Sequence, residues 1–489
     1  MQTLPLTLYR TESIKVLEQC AIQDYGIPGF ELMNRAGEAV FQCLKEKCPD
    51  AASVAVVCGR GNNAGDGCIA ARLALLAGLQ VKVYISAPEK LTGDAQKAFK
   101  QYAEANGSIS YWLPAQPIAA ADVIIDALFG TGLDRPVSGE YRAAIEAINE
   151  SQCRVIAIDM PSGLSADTGN VMACAVKADY TVTFIGLKQG LFTGQAADYC
   201  GEICYSSLAV PEAVFQALSS AVYRVVGTTW PRRARYTHKG DNGHVLVIGG
   251  DAGYSGAAKL AGEAALRVGA GLVSIATRTE HAPLMNMNRP ELMCHGVETA
   301  QQLEPLLDRI NVIVLGPGLG QSIWAKALLV KAISARKPLV IDADGLNLLA
   351  VFSKKQPDWI LTPHPGEASR LLGCPTAQIQ QDRFAAVRSL QAKFGGIAVL
   401  KGAGTLIASD HDIAVSTTGN PGMATGGMGD VLSGVIAGLV AQGLPLKEAA
   451  QQGVYCHSLA ADRAAGTDGE RGLLASDLMP YLRRLVNNN

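Results

Sequence analysis

A glycine-rich stretch that ends in a carboxylate has the clearest chemical potential in this sequence. It reads Asn420-Pro-Gly-Met-Ala-Thr-Gly-Gly-Met-Gly-Asp430 and runs into an apolar helical segment, residues 431–439. Glycines permit turns that other residues cannot adopt, so free N–H groups at the helix start can face phosphate oxygens. Asp430 would then take the proton of a substrate hydroxyl. The simpler alternative is a glycine-rich turn in which Asp430 caps the helix.

Two further motifs in the second half of the chain suit phosphoryl transfer, which needs positioned phosphates, a base and donors for developing charge. Lys401-Gly-Ala-Gly-Thr405 is a second glycine turn at a predicted strand end, where it would lie beside an adenine nucleotide. His364, in His364-Pro-Gly-Glu367, also follows a predicted strand. For this histidine a ligand contact and a structural role both stay open.

Polar loops follow three predicted strands in the first half of the chain. The loop Gly59-Arg-Gly-Asn-Asn-Ala-Gly-Asp-Gly67 has the order of a dinucleotide fingerprint, but it lacks the usual spacing and the Lys-Ser/Thr ending of a P-loop. Asp126 and Asp159 end the other two strands. Carboxylates at the ends of adjacent parallel strands converge, and with hydroxyl and amide oxygens they can hold a hard cation or exchange a proton. Each aspartate alone is more often a loop cap.

Length and composition favour a compact α/β enzyme of two large domains. The chain has 489 residues, of which 48% are apolar and 18% charged, and its 52 glycines are spread between apolar runs. A composition shift and a basic stretch, residues 231–235, place the boundary near residue 224. The basic stretch is typical of a solvated linker.

Charge and cysteine content restrict the partners and the compartment. The net charge of −2 gives no general attraction to nucleic acid or to an anionic membrane, so we expect neither as a partner. The twelve cysteines include no C-x-x-C pair and read as reduced thiols. The sequence carries no recognisable signal peptide and no apolar run long enough to span a bilayer. We expect a cytoplasmic protein that forms a homo-oligomer.

Alternating apolar and amphipathic segments predict parallel sheets with helices on both faces, in which ligands bind beyond the carboxyl ends of the strands. After two helices in the first 48 residues, we predict strands at residues 54–57, 81–85, 123–127, 155–158 and 180–184. In the second half we predict strands at 245–248, 272–275, 312–315, 339–341, 359–361, 398–400 and 405–408, and helices near 256–268, 379–394 and 431–439.

The motifs of the first half resemble those of NAD(P)H-hydrate epimerases. The similar segments are Asn62-Asn63-x-Gly65-Asp66-Gly67, Gly130-Thr131-Gly132 and Asp159-x-Pro161-Ser162-Gly163, and the resemblance extends over residues 1 to about 220. It implies a catalytic Asp159 and a K⁺ cofactor. The implied K⁺ ligands are Asn63, Asp126 and Ser162. The implied contacts with the hydrated dinucleotide are Asn62, Asn63, Ala64, Gly65, Asp66, Gly130, Thr131, Gly132, Leu133, Asp134, Arg135, Pro136 and Asp159.

Two positions of this first half raise separate expectations. Ala64 stands where the resembling family usually has glycine, so its methyl group is expected to narrow the approach of the backbone to the phosphates. Lys188, in Phe184-Ile-Gly-Leu-Lys188, is a candidate proton carrier, although a surface lysine is the favoured interpretation.

The second half resembles ribokinase-like small-molecule kinases and, more closely, ADP-dependent NAD(P)H-hydrate dehydratases. The similar segments, within residues 225–489, include Gly249-Gly250, Gly316-Pro-Gly-Leu-Gly320 and Asp342-x-Asp344-Gly345. The implied nucleotide contacts are Lys401, Gly402, Ala403, Gly404, Thr405 and Gly429, with Mg²⁺ accompanying ADP. The implied hydrate contacts are Ala257, Gly318, His364 and the catalytic Asp430. Met428 replaces a threonine found in relatives, so charge stabilisation would use backbone amides.

These resemblances imply an α/β protein of two doubly wound parallel-sheet domains: a Rossmann-like epimerase over residues 1–224 and a ribokinase-like dehydratase over residues 225–489. Such a bifunctional isomerase and lyase would interconvert the R and S hydrates of NADH or NADPH and dehydrate the S form with ADP. One alternative is a salvage kinase of the hydroxymethylpyrimidine or pyridoxal type with an accessory domain. Another is a first domain that binds a dinucleotide or a partner without catalysis.

Overall fold

The computed structural model of the protein describes residues 2–112, 118, 121–352 and 354–487. The chain forms two compact units, Met1–Tyr223 and Arg224–Asn489, here called unit 1 and unit 2. In the described residues of both units, every helix is too short or too polar to cross a membrane.

Unit 1 is built on a parallel sheet whose strands have the order β4-β3-β2-β5-β6-β7-β9. A short strand, β1, pairs in parallel with β8 and antiparallel with β10. The strands are β1 (Thr7–Tyr9), β2 (Ser53–Cys58), β3 (Gln80–Ile85), β4 (Ser108–Tyr111), β5 (Val123–Ala127), β6 (Arg154–Ile158), β7 (Tyr180–Phe184), β8 (Leu187–Lys188), β9 (Glu202–Ser206) and β10 (Val222–Arg224).

Helices cover both faces of this sheet. Alternate residues of β2 belong to two different apolar cores: Val54 and Val56 lie in one, Ala55 and Val57 in the other. This division is the doubly wound arrangement that the alternating pattern predicts. The helices of unit 1 are α1 (Thr11–Gln23), α2 (Gly29–Lys47), α3 (Asn62–Leu76), α4 (Gly93–Glu104), α5 (Gly139–Glu150) and α6 (Glu212–Gln216).

Unit 2 contains a second sheet, with the order β13-β12-β11-β14-β15-β16-β17-β18-β19 in its described residues. The pairings from β13 to β17 are parallel, whereas β18 and β19 are antiparallel to their neighbours. The strands are β11 (His244–Ile248), β12 (Leu272–Thr277), β13 (Met293–Gly296), β14 (Val312–Leu315), β15 (Leu339–Ile341), β16 (Trp359–Leu361), β17 (Ile397–Leu400), β18 (Leu406–Ala408) and β19 (Ile413–Val415).

Two helices of unit 2 lie in very close contact. These are α7 and α15: a Cβ atom at Gly434 of α15 would collide with the carbonyl oxygen of Ala261 in α7, and one at Gly438 would meet Val268 Cγ2 at 2.5 Å. The helices of unit 2 are α7 (Ser255–Arg267), α8 (Ala282–Met285), α9 (Ala300–Leu307), α10 (Ile323–Ser334), α11 (Ala343–Leu349), α12 (Pro365–Leu372), α13 (Thr376–Gln381), α14 (Arg383–Phe394), α15 (Met428–Ala441), α16 (Leu446–Asp468) and α17 (Leu478–Leu485).

The predicted strands are confirmed, but several helix boundaries differ from the predictions. The single helix predicted at residues 379–394 is two helices, because Asp382 interrupts it and caps α14 through the Ala385 N–H. Helix α15 begins at Met428, three residues before the predicted start.

Candidate active sites

The polar residues predicted in unit 1 follow neighbouring strands at one edge of the sheet. Asp126 lies in β5, Asp159 directly follows β6, and Asn63 lies on the helix that follows β2. The strands β2, β5 and β6 are adjacent and parallel, so these carboxyl ends meet.

Asp126 and Ser162 form a fully buried pair. The Ser162 hydroxyl donates to Asp126 Oδ1 at 2.6 Å, and the Ser162 N–H donates to Oδ2 at 2.8 Å. A third hydrogen bond comes from the Leu128 N–H, at 3.2 Å. Burial raises the pKa of Asp126 to about 6 even though these three donors lower it. Both oxygens of Asp126 therefore accept hydrogen bonds from neutral donors inside the protein.

The predicted glycine loop of unit 1 is largely helix, since α3 begins at Asn62. Gly65 and Gly67 serve helix packing: a Cβ atom at Gly65 would lie 2.5 Å from Met33 Sδ, and one at Gly67 would lie 2.6 Å from Ala127 Cβ. Ala64 is fully buried in the apolar core. The expectation that its methyl group narrows the approach to phosphates is therefore wrong, because that methyl group packs inside unit 1.

Gly130 is the point at which two of the predicted motifs come together. A Cβ atom built there would lie 3.2 Å from Asn63 Oδ1 and 3.4 Å from Asp159 Oδ2. Only a residue without a side chain leaves this space open for a ligand. The remaining predicted contacts of this loop lie in the half-buried and exposed segment between β5 and α5, namely Thr131, Gly132, Leu133, Asp134, Arg135 and Pro136.

Lys188 is a buried residue of the site, so its interpretation as a surface lysine is wrong. Its side chain is 1% exposed. The ammonium group donates to Asp159 Oδ1, to Thr183 Oγ1 at 3.2 Å and to the Phe184 carbonyl at 3.0 Å. These three bonds use all three of its hydrogens. Lys188 therefore holds Asp159 Oδ1, while Asp159 Oδ2 is the oxygen 3.4 Å from a Cβ atom built at Gly130.

A second carboxyl group, Asp66, lies near Asp159. Burial raises its pKa well above the usual value, and the charges of Asp159 and Glu18 raise it further, while Lys188 lowers it. Asp66 is three residues after Asn63 on α3, so the two side chains share one helix face. Sequence reasoning predicted Asp66 as a substrate contact, but Glu18 gave no signal.

The predicted K⁺ ligands fit an oxygen-preferring cation in part. Asn63 is 7% exposed, and within the described residues its Nδ2 has no hydrogen-bond partner. The assignment of nitrogen and oxygen in an asparagine amide rests on the hydrogen-bond network. Exchanging these two atoms in Asn63 would place its carbonyl oxygen at the buried position that Nδ2 now occupies. The structure joins Asp126 directly to Ser162, and it places Asn63 beside Gly130.

In unit 2 the centre of the site is an ion pair between Asp342, after β15, and Lys401, after β17. Lys401 Nζ lies 2.8 Å from Asp342 Oδ1, and the Ser433 hydroxyl donates to Oδ2 at 2.7 Å. Burial alone raises the pKa of Asp342, but the charge and hydrogen bond of Lys401 outweigh it, so the net pKa is lowered. Asp342 is 1% exposed, whereas the Lys401 side chain is 20% exposed and can reach a ligand.

Gly429 and Asp430 border this ion pair at the start of α15. A Cβ atom at Gly429 would lie 3.1 Å from Lys401 Nζ and 3.3 Å from Asp342 Oδ2. Burial raises the pKa of Asp430 to about 7, with a further rise from Asp342 and an opposing effect of Lys401. A carboxylate with this pKa is matched to proton transfer near neutral pH. The interpretation of Asp430 as a helix cap is wrong, since the residue before the helix is Gly427.

The predicted nucleotide turn, residues 401–405, is held from behind by Arg383. This buried guanidinium donates through Nη2 to the carbonyls of Leu400 and Lys401, both at 3.3 Å. A Cβ atom at Gly402 would lie 3.0 Å from Arg383 Nη1, and Thr405 Oγ1 donates to the Gly402 carbonyl at 3.0 Å. Burial lowers the pKa of Arg383 to about 10. Sequence reasoning missed Arg383, because nothing in the sequence shows which turn it contacts.

His364 caps helix α12 and is also held by Glu367. Its Nδ1 accepts from the Gly366 N–H at 3.0 Å, and Glu367 Oε2 accepts from the His364 N–H at 2.8 Å. Glu367 also lies 3.9 Å from Lys401 Nζ. Burial raises the pKa of Glu367 to about 7. The His-x-x-Glu capping spacing was the available signal for Glu367.

The predicted hydrate contacts Ala257 and Gly318 lie next to each other. Gly318 has a φ of 57°, and a Cβ atom there would lie 3.2 Å from Ala257 Cβ and 2.5 Å from the Tyr254 carbonyl oxygen. This left-handed, crowded position requires glycine. Ala257 and Gly318 thus form one group in the structure. Gly429 and Asp430 form a second group, with Lys401.

Comparison with known proteins covers both units. The sequence matches the NAD(P)H-hydrate dehydratase family over residues 245–484 and the family of YjeF-related protein N-termini over residues 29–190. The bifunctional NAD(P)H-hydrate repair enzyme Nnr of Coxiella burnetii is 51% identical, covering 98% of this chain and 99% of that enzyme. The Escherichia coli enzyme of the same name is 43% identical, covering 99% of this chain and 95% of that enzyme.

Among solved structures, an ADP/ATP-dependent NAD(P)H-hydrate dehydratase from Bacillus subtilis, co-crystallised with ATP and Mg²⁺, is 32% identical. It covers 53% of this chain and 93% of its own, with a TM-score of 0.48.

The first family match lies within unit 2 and the second within unit 1. Similarity to the two bifunctional enzymes extends over nearly the whole chain. The chain therefore belongs to the family of bifunctional NAD(P)H-hydrate repair enzymes.

Proposed function

We propose that the protein repairs hydrated NADH and NADPH in two reactions. Residues 1–224 interconvert the R and S hydrates, and residues 225–489 dehydrate the S hydrate by phosphoryl transfer from ADP, releasing AMP and phosphate. The observation that carries the proposal is the group formed by Asp430, Gly429 and the Lys401–Asp342 pair, which combines a base, backbone amides and a cation. This is the set that phosphoryl transfer requires.

In the dehydratase, Asp430 takes the proton of the hydroxyl group on the hydrated ring. The hydroxyl oxygen bonds to the β-phosphorus of ADP while the bond to the bridging oxygen breaks, and AMP leaves. The ring nitrogen then expels phosphate, and loss of a proton from the neighbouring carbon restores the reduced ring. Lys401 and the amides near Gly429 stabilise the charge on the transferred group. Mg²⁺ enters as part of the nucleotide co-substrate.

We assign the ligands of unit 2 to two parts of its site. The nucleotide contacts the turn that Arg383 supports, with Gly429 nearest its phosphates. The hydrate contacts Ala257, Gly318, His364 and Asp430. The lowered pKa of His364, caused first by burial and then by Lys401, keeps this imidazole neutral, so it acts as a hydrogen-bond partner rather than as a charge.

In the epimerase, Asp159 Oδ2 is the proton acceptor, and the hydrate lies over Gly130 with Asn63 and Asp66 on the side of α3. Lys188 holds Asp159 in its orientation through the hydrogen bond to Oδ1. K⁺ would be held by Asn63, Asp126 and Ser162, and when bound it supplies a fixed positive charge close to the substrate. The loop over residues 130–136 covers the dinucleotide.

One assay separates the two reactions. Purified protein is incubated with a mixture of NADH-hydrate epimers and ADP, and the absorbance of reduced nicotinamide is followed. Complete recovery supports both activities. Recovery of only the S fraction would remove the epimerase proposal, and no recovery would remove the dehydratase proposal. A stable phosphorylated product would indicate a salvage kinase instead.

The cofactor and Asp159 are tested separately in unit 1. Replacing K⁺ by Na⁺ should lower the rate of epimer exchange and leave dehydration of the pure S hydrate unchanged. Asp159→Asn should abolish exchange. Unchanged exchange in this variant would favour a first domain that binds without catalysing.

The location and partners of the protein are also part of the proposal. We propose a cytoplasmic homo-oligomer without nucleic-acid or membrane partners, since the net charge of −2 offers no general electrostatic attraction to either. Light scattering of the purified protein tests the oligomer, and cell fractionation tests the location.

A further inference from the structure

Helix α16 contacts the start of the glycine turn of unit 2 through Asp462. The Asp462 carboxylate accepts from the Gly419 N–H at 2.8 Å and from the Asn420 side-chain amide at 2.9 Å. Asn420 Oδ1 in turn accepts from the Gly422 N–H at 3.0 Å. Asp462 therefore fixes Gly419 and Asn420 directly, and it fixes Gly422 through Asn420.

The same helix contacts the end of the turn through His457. This imidazole is buried and hydrogen-bonds the backbone of Met428, the first residue of α15. Burial lowers the pKa of His457 to about 4, so the ring is neutral at physiological pH. Its Nε2 has no hydrogen-bond partner in the part of the chain that the structure describes.

A third contact lies between these two. The Ser458 hydroxyl is 2.7 Å from Thr418 Oγ1 and 3.3 Å from Ser416 Oγ, and it donates to the Val454 carbonyl at 2.6 Å. Ser416 directly follows β19, so the chain is attached to α16 as soon as it leaves the sheet. One helix thus holds the segment before the turn, its first residues and its last.

We propose that Asp462 is a positioning residue of the dehydratase, which holds residues 419–430 in the conformation that directs the turn's amides at the transferred phosphoryl group. The proposal rests on the dehydratase function proposed above. Asp462 acts through Gly419 and Asn420 and is not assigned a contact with the substrate.

The chemistry of the contact requires a carboxylate. Two N–H donors meet two carboxylate oxygens, and hydrogen bonds to an ionised acceptor are shorter and stronger than neutral ones. An asparagine at this position offers one oxygen and turns its own N–H₂ group towards a donor. Asp462→Asn therefore breaks one bond with little change in side-chain size, and it leaves the contacts of residues 401–405 intact.

We expect Asp462→Asn to lower the dehydratase kcat about 10- to 100-fold, since displacement of a catalytic group by about 1 Å costs rates of this order. The KM for ADP should change less than about threefold, because residues 401–405 bind the adenosine part independently of α16. Asn420→Ala removes the same chain of contacts from the turn side and should give the same separation of kcat from KM.

The matched control is Asp241→Asn. Asp241 also accepts a backbone hydrogen bond, from His238 at 2.9 Å, but it precedes β11, at the amino ends of the parallel strands. The Asp241→Asn variant should retain the wild-type dehydratase kcat. Epimerase activity, measured in the same samples on the full chain, should stay unchanged in all three variants.

The outcomes distinguish the inference from the function on which it rests. Unchanged kcat in Asp462→Asn or in Asn420→Ala would overturn the positioning role. The positioning role would also be overturned if the KM for ADP of Asp462→Asn rose in proportion to the fall in its kcat. It would be overturned too if Asp241→Asn lost as much kcat as Asp462→Asn, because a general loss of structure would then explain the data. A wild-type protein without ADP-dependent dehydration would instead reject the proposed function.

Discussion

Each unit contains a lysine–aspartate pair at the carboxyl ends of the strands of a parallel sheet. One partner of each pair is buried and the other is more exposed, and the buried partner differs between the two units. In unit 1 the Asp159 side chain is 14% exposed and Lys188 is 1% exposed, with all its hydrogens used inside the protein. In unit 2 Asp342 is 1% exposed, and Lys401 is the accessible partner at 20%. The same ion pair presents a carboxylate in one site and an ammonium group in the other.

The difference follows from the chemistry proposed for each unit. An exchange of epimers needs a proton acceptor, and the lysine behind Asp159 orients that carboxylate. Phosphoryl transfer needs positive charge near the phosphates, and here the buried aspartate fixes the lysine. In the proposed mechanism a separate residue, Asp430, is the base of unit 2. An Asp–Lys pair therefore predicts a function only when the exposed partner is known.

The largest expected effect on rate comes from replacing Asp430, the proposed base of unit 2. Asp430→Asn should lower the dehydratase kcat by about 10²- to 10⁴-fold, because it removes general base catalysis. Stopped assays with the S hydrate and ADP measure this change, with epimer exchange in the same sample as the control. Binding of ADP, measured by calorimetry, should persist. A kcat within a factor of about two of wild type would assign the base elsewhere.

Methionine substitutions of the two lysines test the exchange of roles directly. Lys188→Met should lower the epimerase kcat about 100-fold with little change in KM, and it should destabilise unit 1 by about 3 kcal/mol, as for a broken buried pair. Lys401→Met should instead raise the KM for ADP and lower the dehydratase kcat.

Steady-state kinetics and denaturant unfolding of both lysine variants supply the data. If the two variants showed the same pattern of kcat, KM and stability, the proposed exchange of roles would be wrong.

The pH dependence of the dehydratase reports the raised pKa of Asp430. A base must be deprotonated, so kcat/KM should rise with pH, reach half its plateau near pH 7 and be about tenfold below the plateau at pH 6. Glu367→Gln removes a like charge that raises the pKa of Asp430, so the midpoint should move to lower pH. A midpoint that stays fixed, or moves upward, would contradict this electrostatic coupling.

A smaller effect is expected at the space beside Asp159. Gly130→Ala places a methyl group 3.2 Å from Asn63 Oδ1 and 3.4 Å from Asp159 Oδ2, and we expect a loss of about tenfold in epimerase kcat/KM. Gly61→Ala is the control, because its methyl group would have no atom within 4 Å in the described structure. Equal losses in both variants would mean that Gly130 does not border the substrate.

The smallest effect concerns a buried methyl group. Ala64→Gly should lower the free energy of unfolding by about 1 kcal/mol through helix propensity and cavity formation. Epimerase kcat/KM should stay within about twofold of wild type, since this methyl group lies in the core. A marked gain in substrate affinity would restore the idea that Ala64 narrows the phosphate site.

Strand positions could be predicted from the sequence because alternating and continuous apolar runs report burial directly. Seven strands were missed, because they are very short or mix polar residues into the strand; these are β1, β4, β8, β9, β10, β13 and β19. Asp430, Lys401 and Asp159 could be predicted as candidate site residues, because each follows a strand or lies at the start of a helix. Arg383, Glu18 and Asp462 were not identified as site residues, because their roles depend on contacts between segments far apart in sequence.

The reach of Lys188 into the site could not be predicted either. A lysine after a strand reads as a surface residue unless its three acceptors are known, and these come from β7 and from the residue after β6. Sequence patterns report which elements form and where they end. They do not report which of two neighbouring side chains faces the ligand.

The close packing of α7 and α15 has a consequence for inhibitor design. Gly434 and Gly438 bring the helices so near that α15 has little room to slide or rotate. Compounds aimed at the proposed dehydratase site must therefore match a helix backbone that is fixed at Asp430. Larger chemical groups are better placed at the proposed nucleotide turn, where Gly402 and Ala403 are exposed.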